Sequence, residues 1–337
     1  MYIKKHYPIL GVFTWSKKYL FYFLLIDSIP VVVYEIFGLK YLAIPWEPIA
    51  LIGIAVSFYL GFKNNSSYDR LWEGRKIWGG IVNSSRTLTI MTRDFITNEF
   101  AKEKVSDDDL SKIHKSIIYR HIAWLNALTY QLREKKVWEN DTKVDEELRK
   151  LGNIHHKDNH FEKLKPYLSD SEYKYILSKE NKAAHIISVQ SKQLKDLKFK
   201  GLIDDFRHME LAKILGELYS LQGKSERIKN FPFPRQYATV NLLFVWIFIL
   251  MLPFGMLNVF SNLNIIWLSI PFTMLVSWVF ILMEMIGEYS ENPFEGLYND
   301  VPITSMSRGI EIDIRQMLDE TDLPKPIAPI LEDSILL

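Results

Sequence analysis

The feature that most constrains this chain is a change of character inside one stretch, Glu47 to Arg86. Pro48 to Phe62 is an uncharged apolar run, and from Lys63 onward the chain reads KNNSSYDRLWEGRKIWGGIVNSSR. About fifteen uncharged residues fall slightly short of a bilayer span, so the pattern predicts a helix that starts in a membrane and continues out of it, with Lys63 near the water boundary. Ile54, Phe58 and Phe62 recur at every fourth position and share one helical face. Gly53, Ala55, Ser57 and Gly61 occupy other faces, where small side chains let neighbouring helices approach closely. Such a ladder suits lipid, a protein core or the wall of a narrow dry pore, and periodicity alone does not choose among them.

The rest of the chain reads as a hybrid. Of 337 residues 48% are hydrophobic, yet 24% are charged, and the long apolar runs lie on either side of a charged middle. A membrane module split around a cytosolic insertion accounts for both numbers. The net charge of +1, from 41 basic and 40 acidic residues, offers no basic face for nucleic acid. With no cysteine the chain has no disulfide, thiolate metal site or thiol nucleophile.

Four spans are expected. Met1 to Lys18, with Lys4, Lys5, His6, Trp15, Lys17 and Lys18, reads as an interfacial segment and not as a cleavable signal peptide. The first span is Tyr19 to Phe37 and contains Asp27 and Pro30. Asp27 reads either as a polar contact to another helix or the vestibule, or as part of a helix-bending Asp-Ser-Ile-Pro turn near one interface. Arg235 to Glu284 has no charged residue between its ends, enough for spans at Gln236 to Met256 and Ile265 to Ile286 joined by a turn at Gly255 to Asn264. The loops Gly38 to Glu47 and Gly255 to Asn264 hold Lys40 as their single basic residue, whereas Lys17, Lys18, Lys63, Arg70, Arg75, Lys76, Lys229 and Arg235 flank the other side. By the positive-inside rule both termini and the charged middle are cytosolic, in a multi-pass protein of the cell (inner) membrane.

Between the spans the chain reads as helical. Ile113, Ile117, His121, Trp124, Leu125, Leu128 and Leu132 form one apolar stripe, while Lys135 to Ser169 reads as a weakly ordered, solvated excursion. After the last span comes a short amphipathic helix with Ile303, Met306, Ile310, Ile314 and Met317, then a proline-containing extended tail from Leu323 to Leu337. The expected divisions are 1–62, 63–230, 231–288 and 289–337.

Two separated blocks carry a family resemblance. Lys63-Asn64-Asn65-Ser66-Ser67-Tyr68-Asp69-Arg70-Leu71-Trp72-Glu73-Gly74-Arg75, continuing through Trp78-Gly79 and Asn83-Ser84-Ser85-Arg86, resembles the first signature of the bestrophin family, especially its bacterial and plastid-type branch. Glu291-Asn292-Pro293-Phe294, with Asn299-Asp300-Val301-Pro302 and Arg308-Gly309-Ile310-Glu311-Ile312, is similar to the block that follows that family's last membrane helix. The resemblance implies an all-α membrane protein with four transmembrane helices per subunit and a cytosolic helical domain, assembled as a homopentameric channel. It also implies that Ile54, Phe58 and Phe62 form the hydrophobic neck of the pore and that the tail wraps a neighbouring subunit.

The family includes anion-selective and monovalent-cation-selective members. The Ile-Phe-Phe composition looks more like the anion-selective branch, and the positive edges of phenylalanine rings suit a passing anion. A second constriction is implied near the helix that begins after Gly201, with Phe206 and Arg207 as candidates; the alternative for Arg207 is a surface position on an amphipathic helix. Asp69, Arg70, Glu73 and Arg75 read either as a charged vestibule lining or as an intersubunit ion-pair network, with Tyr68 and Trp72 packed at the interface beside them. Asn83, Arg86, Asn292, Pro293 and Phe294 belong to the same signature set.

Other chemistry finds little support. Animal bestrophins bind calcium through an acidic run after Asn-Pro-Phe, and Glu295-Gly296-Leu297-Tyr298-Asn299-Asp300 has far fewer carboxylates than a hard cation uses. His155, His156 and His160 lack a further ligand of matching spacing, so no metal is expected. Gly223-Lys224-Ser225 has Leu218 where a P-loop requires glycine. The expectation is a passive, chloride-conducting channel without cofactor or enzymatic activity, its partners being the bilayer, its own copies and small permeant ions. A monovalent-cation-selective channel of the same family type, a membrane-anchored scaffold or sensor and an ion-coupled carrier are the competing readings.

Overall fold

The computed structural model describes residues 1–101, 103–139, 142, 146, 160–330 and 334–337. Among the described residues the helices are, in chain order, α1 (Ile9–Glu35), α2 (Trp46–Phe95), α3 (Asp107–Arg133), α4 (Asp170–Leu177), α5 (Lys182–Phe199), α6 (Asp205–Asn230), α7 (Arg235–Asn262), α8 (Ser269–Ser290) and α9 (Ile303–Gln316). Short 3-10 turns lie at Lys40–Leu42, His160–Tyr167 and Ile266–Leu268. Four segments, Ile9–Glu35, Lys40–Phe95, Arg235–Asn262 and Ile266–Ser290, are long and apolar enough to cross a membrane. The chain divides into two units, Lys4–Arg70 with Pro232–Glu291, and Met1–Ile3 with Leu71–Phe231 and Asn292–Leu337.

The first unit holds α1, the N-terminal half of α2, α7 and α8. Phe23, Ile49, Val56, Leu60, Val245, Phe248, Ile249, Leu252 and Ile281 make its core, drawn from all four helices. Between apolar helices in lipid the hydrophobic driving force is weak, and packing and polar contacts take over. Trp278 accordingly donates its indole N–H to Ser16 Oγ at 2.8 Å and stacks on Phe13 with centroids 4.9 Å apart.

Three expectations about this unit are corrected. The helix carrying the first span starts at Ile9, not Tyr19, so much of the supposed interfacial segment is helical. Asp27 and Pro30 form no turn: α1 runs through both, and the Asp27 side chain is fully buried. Helix α7 continues to Asn262, leaving the turn to Leu263–Ile265 with Asn264 at φ 56°. Gly255 sits inside that helix because a Cβ there would stand 2.5 Å from Ile49 Cδ1. Its lack of a side chain serves close approach, not a turn.

The second unit packs around α3, whose buried face includes Ile117, His121, Trp124, Leu125, Leu128 and Leu132. Helices α5, α6 and α9 and the 3-10 turn His160–Tyr167 lie against it. Helices α3, α5 and α6 begin on side-chain caps, as solvated helix ends favour. Ser106 accepts from the Asp109 amide, Asn181 from Ala184, and Asp204 from Phe206 and Arg207. A capping box joins Ser169 and Glu172 at the start of α4.

Part of the Lys135 to Ser169 stretch departs from its expected looseness. Leu164 is fully buried, and Phe161 meets Tyr130 edge-on at 5.9 Å, so 160–167 is a packed element. The candidate ligands His155 and His156 lie outside the described residues, as does the side chain of His160. At the far end of the chain the tail is extended and bridges Ile330 to Ile335, with Tyr2 paired to Ile335.

Candidate functional site

Helix α2 presents two different faces within the first unit. Ile49, Gly53, Val56, Leu60, Lys63 and Ser67 are buried and recur four and three residues apart, the repeat of a helix packed along one stripe. Gly53 is required there, since a Cβ would stand 2.7 Å from the Phe248 ring. Ile54, Phe58 and Phe62 are 56%, 64% and 62% exposed, which places three large apolar groups on a surface left open among the described residues. An uncovered ladder of this kind on a helix at membrane depth faces lipid, a second copy or a pore.

Below the apolar part the same buried stripe becomes charged. Lys63 forms an ion pair with Glu284 of α8, and both side chains are buried. Asn241 of α7 donates to the other Glu284 oxygen at 2.5 Å. About two helical turns further on, Arg70 Nε donates to the Glu291 carbonyl at 2.8 Å, and Arg235 pairs with the Glu291 carboxylate. Burial pushes that carboxyl above the usual range, with the Arg235 guanidinium opposing the shift. Gly287 faces Asn64 so closely that a Cβ would overlap the amide oxygen.

These partners were not read from the sequence. The available signal was Lys63 itself, which continues the repeat set by Ile49, Val56 and Leu60, together with Glu284 at the end of an uncharged run. Neither observation names the other residue.

The remaining signature residues fall into place separately. In the second unit Glu73 pairs with Arg227 at 2.5 Å, Arg86 with Asp313 at 2.5 Å, and Arg75 Nη1 lies 3.8 Å from Met306 Sδ. Glu73 and Arg70 therefore have partners inside one chain. Tyr68, Asp69, Trp72 and Asn83 are exposed. Gly74 backs onto Pro293 and the buried Phe294, while Asn292 donates to Glu295 at 2.6 Å. Gly223, Lys224 and Ser225 lie inside α6.

Phe206 and Arg207 occupy the first turn of α6 and differ in setting. Phe206 is 83% exposed. Arg207 is engaged by Glu99 at 2.7 Å and Asp204 at 3.2 Å, with its guanidinium 5.1 Å from the Phe100 ring centroid. An arginine neutralised by two carboxylates contributes little field beyond its own neighbourhood.

The acidic loop after Phe294 is also internally engaged. The Asp300 carboxylate accepts the Leu297 amide at 3.0 Å and the Gly296 amide, and lies 3.6 Å from Arg133. Nearby, Lys229 and Glu139 form a buried ion pair; burial lowers the lysine pKa and the Glu139 carboxylate opposes that shift.

Residues 17–316 match the family described as bacterial/fungal bestrophin protein. The chain belongs to the bestrophin family. Among bestrophin relatives, the voltage-dependent anion channel-forming protein YneE of Escherichia coli K12 is 26% identical, over 88% of this chain and 83% of its own length. The voltage-dependent anion channel-forming protein RSc3414 of Ralstonia nicotianae is 27% identical, over 82% of this chain and 78% of its own. In fold the chain is similar to a crystal structure of a bacterial bestrophin homolog from Klebsiella pneumoniae, with a TM-score of 0.74 at 22% identity, over 89% of this chain and 97% of that one.

Proposed function

We propose that the chain is the subunit of a passive anion channel in which Ile54, Phe58 and Phe62 line the pore. The observation that carries this reading is the exposure of those three side chains on the face of α2 turned away from the Phe248 contact. Several copies arranged around an axis, five by the family resemblance, convert the ladder into stacked apolar rings. Such rings pass ions only when wetted, so radius and apolarity set the gate and no binding step is needed. The positive edge of a phenylalanine ring, turned inward, favours an anion over a cation.

The anion-channel names of the relatives and the basic residues around the spans support the same reading. The protein then lies in the cell (inner) membrane with both termini and the charged helical unit in the cytosol. Phe206, exposed at the start of α6, supplies a second constriction, and Arg207 supports it from the side through Glu99 and Asp204. Conduction runs down the electrochemical gradient without covalent chemistry or cofactor.

Chloride efflux from liposomes loaded with KCl tests the reading. Efflux that depends on the protein and accelerates in Phe58→Ala is expected; liposomes no leakier than protein-free ones would overturn it.

A further inference from the structure

Within the first unit, the buried stripe of α2 changes at Lys63 from apolar groups to charged and polar ones. Against lipid, the apolar half alone specifies register weakly, because lipid tails are as apolar as the neighbouring helix. The charged half behaves differently. Lys63, Glu284 and Asn241 sit on three helices; displacing Lys63 or Glu284 leaves a buried charge without its partner, and displacing Asn241 strips the Glu284 carboxylate of a hydrogen bond. Asn64 against Gly287 and Arg70 against the Glu291 carbonyl extend the same seam along α8. Moving α2 by one residue turns it by roughly 100° and shifts it about 1.5 Å. That would break every one of these contacts and swing Phe58 off its present face.

We propose that the Lys63–Glu284–Asn241 cluster sets the rotational and axial register of α2 and so decides that Ile54, Phe58 and Phe62 face the pore. These are positioning residues, acting from behind the ladder through the helix backbone. The proposal rests on the channel reading for its functional meaning, while the register itself is measurable without ion flow.

The chain contains no cysteine, so single cysteines can be introduced on a clean background. Purified protein in lipid carrying Val56→Cys, Phe58→Cys, Leu60→Cys or Phe62→Cys is treated with a charged, water-soluble thiol reagent, with labelling read by mass spectrometry and current read in planar bilayers. In the native background the exposed Phe58→Cys and Phe62→Cys are expected to label and to change the current, and the buried Val56→Cys and Leu60→Cys are not. With Glu284→Gln added, labelling at position 58 is expected to fall and to appear at a neighbouring position. The exchange Lys63→Glu with Glu284→Lys is expected to restore the native pattern.

Should Glu284→Gln fail to fold, the paired change Lys63→Met with Glu284→Met removes both charges at similar volume and is expected to spread labelling over adjacent positions. A labelling pattern unchanged by either alteration, in protein that is folded and assembled, overturns the proposal. Absence of current in the native chain would instead contradict the channel reading, with the labelling pattern still reporting the register.

Discussion

Phe294 lies against Gly74: a Cβ on Gly74 would stand 3.2 Å from the phenylalanine Cζ and 3.3 Å from carbons of Pro293. The two sequence blocks that carry the family resemblance therefore meet in space. Each explains the other, since the Asn-Pro-Phe turn fills the room that the absent side chain leaves.

Gly74→Leu is expected to destabilise the helical unit by about 1–3 kcal/mol through overpacking. Phe294→Ala alone removes a buried ring and is expected to cost about 3–5 kcal/mol. Combined, the two should cost measurably less than their sum, because the leucine occupies the space vacated by the ring. Thermal unfolding of the four proteins in one detergent checks this, and strict additivity would contradict the contact.

Much of this arrangement was legible in the sequence. The apolar runs, the stripe on α3 and the two signature blocks read directly, because each is a local pattern of residue types. What escaped reading depends on where helices meet. Lys63 and Glu284 are 221 positions apart, and nothing local marks them as partners. Gly255 misled the reading because glycine serves turns and close helix approach alike, and only the Ile49 side chain across the interface decides. Asp27 misled it because a proline three residues on suggested a turn, whereas α1 continues past Pro30.

Divalent cations are expected to be dispensable for conduction. Asp300 is occupied by two backbone amides beside Arg133, and Glu295 by Asn292, so the loop after Phe294 offers few free oxygens for a cation that takes roughly six to eight. Currents recorded before and after chelation should match. Loss of current on chelation, with recovery on adding calcium, would contradict this.

His121 predicts an acid sensitivity of the helical unit. It is buried, shares a 2.8 Å hydrogen bond with Ser85 Oγ and stacks on Trp124, and burial drives its pKa down to about 3. The unfolded chain takes up a proton below about pH 6.5 that the folded chain refuses, so stability is complete above that pH and declines as pH falls toward 3. Each pH unit in this window costs about 1.4 kcal/mol, or roughly 2 kcal/mol by pH 5. Thermal midpoints at pH 7 and pH 5 should fall further for the native chain than for His121→Asn. Equal falls in the two proteins would remove His121 as the cause.

The most direct test of anion conduction through the α2 ladder is the reversal potential of the purified protein in a planar bilayer under an asymmetric KCl gradient, for the native chain and for Phe58→Ala. A reversal near the chloride equilibrium potential, with larger currents in Phe58→Ala as the neck becomes easier to wet, is the expected result. A reversal near the potassium potential, or currents indifferent to Phe58→Ala, would contradict it.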